Sequence, residues 1–177
     1  MRYHVFAILI ALTLASCTAP PKSTPVAQPT SAPRPTPTPL PVPTSAPLAA
    51  DWRDWPFTPG DWAYRRDARG SIALFGPVGS DAQVTLRCDN AGKMLYLSVH
   101  GPANAATIRT TSLTRAIPLQ PTGGEAGYVA SALPTTDSLL DAMAFSRGRF
   151  VIDRSGQPPL VVPPYAELGR VIEDCRG

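Results

Sequence analysis

The chain has 177 residues, of which 22 are Pro and three are Cys, with a formal net charge of +3 and a pI near 9.0. The charge excess does not belong to the part that can fold: from Asp51 onward there are 13 basic and 13 acidic residues. A neutral domain lacks the positive face that displaces counterions from a phosphate backbone, so nucleic acid is excluded as the expected partner.

The N-terminal stretch reads as a signal peptide. Met1 to His4 carry one firm positive charge, Arg2, and Val5 to Leu14 follow as ten residues that are apolar apart from Thr13. Ten residues fall short of the about 20 that a membrane-spanning helix needs, and the length suits the apolar region of a secretory signal. Leu14-Ala15-Ser16-Cys17 closes the run and resembles the lipobox of bacterial lipoproteins. The resemblance implies a signal peptide over residues 1–16, cleavage before Cys17, and a diacylglyceryl group on the Cys17 thiol. Further acylation of the new amino terminus would follow, and several chains at about 0.8 kcal/mol per buried CH₂ anchor far better than one. The expected partner of this end is therefore a membrane. Thr18 in place of Asp after the cysteine resembles an outer-membrane address, implying the periplasmic face of that membrane. An ordinary secreted protein with an incidental cysteine is the alternative.

Residues 17–50 form the second region, the lipidated cysteine and a linker. Eleven of the 33 residues from Thr18 to Ala50 are Pro, and none is aromatic or acidic. Such a chain buries too little apolar surface to offset its ordering entropy, so it is expected to be disordered. Repeated Pro, as in Arg34-Pro35-Thr36-Pro37-Thr38-Pro39, favours an extended form at about 3.1 Å per residue, a semi-stiff spacer reaching roughly 100 Å.

Residues 51–177 are long enough for a single domain with its own core. Trp62 to Tyr64 and Ile72 to Phe75 read as strands across the turn Asp67-Ala68-Arg69-Gly70. Val84, Leu86 and Cys88 alternate on one face, and Leu95, Leu97 and Val99 return after Asp89-Asn90-Ala91-Gly92, the clearest hairpin in the chain. Thr107 to Thr111, Ala116 to Leu119 and Tyr128 to Leu133 are further expected strands. Asp137 caps a helix running to about Ser146, with Leu140, Met143 and Ala144 inward. Phe150 to Ile152 and Leu160 to Val162 make another hairpin, and Pro164 is expected to open a last helix. Tyr165, Leu168, Ile172 and Cys175 recur at the spacing of one helical face. The expected fold is mainly β, an antiparallel sandwich or partly closed barrel with two short helices, one of them C-terminal.

With Cys17 assigned to lipid, Cys88 and Cys175 remain, one on an inward strand face and one on an inward helix face. An oxidising compartment favours their pairing, and two buried free thiols are the alternative. Neither lies in a Cys-x-x-Cys pair, which argues against a redox enzyme.

Candidate contact residues are few. All three tryptophans fall within Asp51 to Trp62. Trp62 shares a strand face with Tyr64 and reads as core, whereas Trp52 and Trp55 are candidates for stacking on a glycan or an envelope protein. The competing reading is a segment that merely covers the core. Arg147 and Arg149, beside a helix end, form a fork suited to a carboxylate or phosphate. Local pairing with Asp141 or Asp153, or capping of helix carbonyls, is the simpler role. Arg65, Arg66 and Arg69 read as a solvated turn. His100 is the only histidine after His4, there is no Gly-x-Ser-x-Gly elbow, and too few His and Cys remain for a zinc site. Asp51, Asp54 and Asp61 lack the spacing of a calcium loop. No catalytic residue, metal or cofactor is expected, and an enzyme is the least favoured class.

The domain resembles a group of uncharacterised bacterial envelope proteins. The likeness rests on Thr58-Pro59-Gly60-Asp61-Trp62, Ala73-Leu74-Phe75-Gly76-Pro77 and Leu86-Arg87-Cys88-Asp89. Towards the end it rests on Asp141-Ala142-Met143-Ala144-Phe145-Ser146-Arg147-Gly148-Arg149-Phe150 and Arg170-Val171-Ile172-Glu173-Asp174-Cys175. A strand cysteine joined to a terminal-helix cysteine is also similar in layout to invasion-associated locus B proteins, and layout alone implies no activity. The resulting expectation is a membrane-tethered envelope lipoprotein with a non-catalytic binding or structural domain. The second expectation is an envelope inhibitor of a hydrolase such as lysozyme, although the Ser-Gly-rich Tyr motif of those inhibitors is missing.

Overall fold

The computed structural model describes residues 47–124 and 127–177. The expected signal peptide, Cys17 and most of the spacer lie outside the described residues. No helix among the described residues is long and apolar enough to cross a membrane.

Among the described residues ten strands build two antiparallel sheets. β1 (Asp61–Asp67), β2 (Gly70–Gly76), β3 (Val84–Asp89) and β4 (Met94–His100) follow one another as a meander. β8 (Tyr128–Pro134) and the two-residue β7 (Gln120–Pro121) extend that sheet, so its order is β1-β2-β3-β4-β8-β7. The second sheet runs β10-β9-β5-β6, from β5 (Ala105–Arg109), β6 (Thr114–Pro118), β9 (Phe150–Asp153) and β10 (Leu160–Val162). Both sheets contribute to one core, in the manner of a sandwich.

Alternation fixes the registers. Leu86 pairs with Leu97 and Cys88 with Leu95, and all four side chains are buried on the same face. The β1–β2 turn closes Asp67 onto Gly70. Gly70 has φ +147°, and a Cβ there would stand 2.6 Å from the Cys88 carbonyl oxygen, so the neighbouring strand can pass only a glycine. β5 begins and ends two residues earlier than expected. The Thr110 hydroxyl accepts from the Leu113 amide at 2.9 Å, and the Thr110 amide donates to the Leu113 carbonyl at 2.8 Å, so the chain turns where the strand was expected to continue.

Two helices among the described residues close the core. α1 (Ser138–Ala144) is capped by Asp137, whose carboxylate accepts from the Leu139 amide at 2.8 Å, and it buries Leu139, Leu140 and Met143. α2 (Ala166–Arg176) buries Leu168, Val171, Ile172 and Cys175 against α1 and strands β1 to β4. Tyr165 departs from expectation. It is the residue preceding the helix, in extended conformation with no side-chain cap, and it is exposed rather than inward. Pro163 and Pro164 hold the approach extended, so the helix starts after Tyr165 and its apolar face begins at Leu168.

The sulfurs of Cys88 and Cys175 lie 2.09 Å apart, a disulfide between β3 and α2 across 87 positions of sequence. Closing a loop of that length removes about 4.6 kcal/mol of chain entropy from the unfolded state in the loop-closure model. A second tie holds the same helix: the Tyr64 hydroxyl donates to Asp174 at 2.6 Å, and the Arg170 guanidinium lies 4.2 Å from the Tyr64 ring centre. Burial raises the Asp174 pKa, but the Tyr64 hydroxyl and the cations Arg66 and Arg170 outweigh it and hold the carboxyl below its usual range.

Candidate functional site

Trp52 to Asp54 form one 3-10 turn, capped by Asp51, whose carboxylate accepts from the Arg53 amide at 2.9 Å. Pro56 and Pro59 then keep the chain out of a regular ladder. The segment instead attaches to the free edge of β10. The Thr58 amide donates to the Val161 carbonyl at 3.0 Å, and the Val161 amide donates to the Thr58 hydroxyl at 2.9 Å. This also protects an edge strand from pairing with another chain.

Arg149 fastens the same segment. Its Nη1 donates to the Trp55 carbonyl, and its guanidinium lies 4.2 Å from the centre of the Phe57 ring. The Trp55 indole donates to the Ala49 carbonyl at 2.7 Å, and Trp52, half-buried like Trp55, carries the Arg53 guanidinium 4.8 Å from its ring centre. The structure thus brings Trp52, Trp55 and Arg149 into one neighbourhood and leaves Arg147 exposed, bonded through its backbone amide to the Thr111 hydroxyl at 3.2 Å. The pairing expected for these arginines is corrected: Asp141 takes Arg176 at 2.8 Å, and Asp153 takes Arg109 at 3.6 Å. Arg66 and Arg69 are exposed, as expected of a solvated turn, and their tips reach Asp174 at 3.5 Å and Asp89 at 3.1 Å. Trp62 is core, 8% exposed, tilted against Phe75, with its indole donating to the Pro163 carbonyl at 2.8 Å.

Beside the docked segment lies a groove of about 980 Å³. Pro56, Thr58 and Pro59 line it, together with Pro158 and Pro159 from the β9–β10 connection and Leu160 at the start of β10. Its polar groups come from strand ends: Gln83 before β3, His100 at the end of β4, and Arg154 after β9. Gln83 is anchored through its backbone, its amide on the Phe75 carbonyl at 2.7 Å and its carbonyl on the His100 amide at 3.0 Å. Gly101 has φ +96°, a conformation L side chains disfavour, and that bend turns the chain beside Arg154. The His100 ring meets Tyr128 edge-on, with centres 5.3 Å apart. The Tyr128 hydroxyl is itself held on the Ala82 carbonyl at 2.5 Å, and burial, reinforced by Asp81, raises its pKa.

Arg154 sets this groove apart. The residue is 5% exposed, its Nη1 donates to the His100 carbonyl at 2.6 Å, and its buried Nε has no partner among the described residues. No carboxylate among the described residues pairs with it, in contrast to Arg115 on Asp137 at 2.8 Å. Burial lowers its pKa, though a guanidinium stays charged. A buried charge without a counter-ion costs several kcal/mol, so a fold retains one where something else is gained. Gln83 Oε1 is a second buried atom of this groove without a partner. The groove can therefore hold an anion and offer one acceptor. Among the described residues that line it, only His100 and Arg154 are ionisable.

A smaller hollow of about 510 Å³ opens near Arg69, Arg87 and Tyr96. Its cations are already used: Arg87 pairs with Asp67 at 2.8 Å and Arg69 with Asp89 at 3.1 Å. Those contacts hold both carboxyls below their usual range. Among the described residues no group of three His, Cys, Asp or Glu is placed to hold a metal ion.

Sequence reasoning missed Arg154 and Gln83. Arg154 opens a hairpin turn, where an arginine is expected in solvent, and the one available signal was Pro158-Pro159 directly after that turn, stiff apolar chain beside a cation. Gln83 stands at the start of an alternating strand and carried no signal of its own. No family model matches the chain, no curated protein matches it, and no solved structure matches its fold.

Proposed function

We propose that the chain is a lipid-anchored cell-envelope protein whose residues 51–177 form a non-catalytic binding module carried on a Pro-rich stalk. The observation that carries this reading is the Cys88–Cys175 disulfide joining β3 to α2. Structural disulfides persist in oxidising compartments and are rare in the cytosol, so the pair agrees with the export signal in residues 1–16 and the lipid attachment at Cys17. The spacer then sets the distance from the membrane at which the domain meets its ligand, up to roughly 100 Å when extended. The groove beside Trp55 and Thr58 supports a binding role, since two residues that line it, Gln83 and Arg154, each have a buried polar atom without a partner among the described residues.

Metabolic labelling with a clickable fatty acid, followed by membrane fractionation, tests the anchor. The unaltered protein is expected to take up label and sediment with membranes, and Cys17→Ala to lose the label and retain its signal peptide. A Cys17→Ala protein that still carries label and stays with the membrane overturns the reading.

A further inference from the structure

We propose that the groove between the Trp52–Pro59 segment and the β9–β10 connection binds the C-terminal residue of a peptide, its carboxylate on Arg154 and its terminal amide N–H on Gln83. The inference stands on the groove alone and does not require the lipid anchor.

Three observations carry it. First, Arg154 is a buried guanidinium with one nitrogen spent on a carbonyl and its Nε unpaired, while the carboxylates near the other well-placed arginines are already engaged. A carboxylate fits the open edge of a guanidinium in a planar, charge-assisted pair. Second, Gln83 lines the same groove, and its buried Oε1 has no donor among the described residues. A ligand that presents an acid beside an N–H answers both groups, and the last residue of a peptide does so by construction. Third, the surrounding surface is apolar and stiff, with Pro56, Pro59, Pro158 and Pro159 against it. Four prolines lose little entropy on binding and offer flat apolar contact to a terminal side chain. The volume of about 980 Å³ accommodates several residues rather than a lone acid.

The arrangement also explains why an arginine, and not a lysine or an apolar residue, stands at position 154. As a purely structural residue it has no counter-ion among the described residues, and an apolar side chain of similar length would remove the cost of its burial.

The test is calorimetric titration of the full chain in detergent with N-acetyl-alanyl-leucine, its C-terminal amide, and N-acetyl-D-alanyl-D-alanine. At least one of the two acids is expected to bind, and the amide to bind at least ten-fold more weakly than its acid. A preference for the L acid assigns the site to protein C-termini, and a preference for the D acid to cell-wall peptides; either supports the proposal. Arg154→Met is expected to abolish binding while leaving the melting temperature unchanged or raised, which separates loss of the site from loss of the fold. Gln83→Leu is expected to weaken binding about three- to ten-fold, the range for one hydrogen bond. Equal binding of acid and amide, no binding of either acid, or full binding by Arg154→Met overturns it.

Discussion

Trp55 and Trp62 stand seven positions apart and live in different physical regimes. Trp62 is held from every side: it lies on β1, tilts against Phe75, and spends its indole N–H on the Pro163 carbonyl. Trp55 belongs to a segment with no buried residue in its only helical turn, fastened by hydrogen bonds to a strand edge and by the contacts of Arg149. The difference shows that aromatic content does not decide what is core. Strand alternation commits Trp62 to the interior, while Pro56 and Pro59 keep its neighbours out of the sheet and leave them as a detachable wall of the groove.

The largest expected effect breaks the first half of that contrast. Trp62→Ala removes a buried aromatic and one of the two donors to the Pro163 carbonyl, so it is expected to cost about 3–5 kcal/mol, enough to unfold a marginal domain. Trp55→Ala is expected to cost about 1 kcal/mol, the worth of one partly exposed hydrogen bond and its contacts. Denaturant unfolding of both variants checks the ratio, and equal losses would make the segment part of the core. Next in size is the disulfide. Cys175→Ala, made together with Cys88→Ala, is expected to lower stability by about 2–5 kcal/mol while leaving the strand content by circular dichroism unchanged. The sandwich has its own core, and the bond acts chiefly on the unfolded chain.

The smallest effect concerns acid. The folded pKa of Asp174 lies below its ordinary value of 3.8, so its contribution to stability is present above that value and is lost as pH falls through the folded pKa. Tyr64→Phe removes the hydroxyl that donates to Asp174 and brings the folded pKa back towards 3.8. Melting curves between about pH 2.5 and pH 6 are expected to show a shallower acid decline in Tyr64→Phe than in the parent.

Much of this contrast was legible in the sequence. The alternation of Val84, Leu86 and Cys88 against Leu95, Leu97 and Val99 specified both a hairpin and the inward face of Cys88, and the spacing from Leu168 to Cys175 specified the face of α2. Those signals are local, and local periodicity survives in one dimension. The order of the sheets was not legible, because β4 pairs with β8 across two intervening strands of the other sheet, and no local pattern names a partner that far away. Tyr165 was misplaced because the helical spacing continues one residue into chain that two prolines hold extended. The groove was half legible. The tryptophan segment announced itself, whereas Arg154 looked like turn chemistry, and only tertiary packing buries a residue whose own sequence neighbours are Ser, Gly and Asp.

Native-state hydrogen exchange tests the contrast between rigid sandwich and docked segment most directly. The Leu97 amide lies in β4, paired on both sides by β3 and β8, and the Thr58 amide rests on one bond to the Val161 carbonyl at the edge of β10. Leu97 is expected to exchange only through global unfolding, while Thr58 exchanges through local opening and becomes slower when a groove ligand is bound. Thr58 protected to the same degree as Leu97 in the free protein would contradict that contrast.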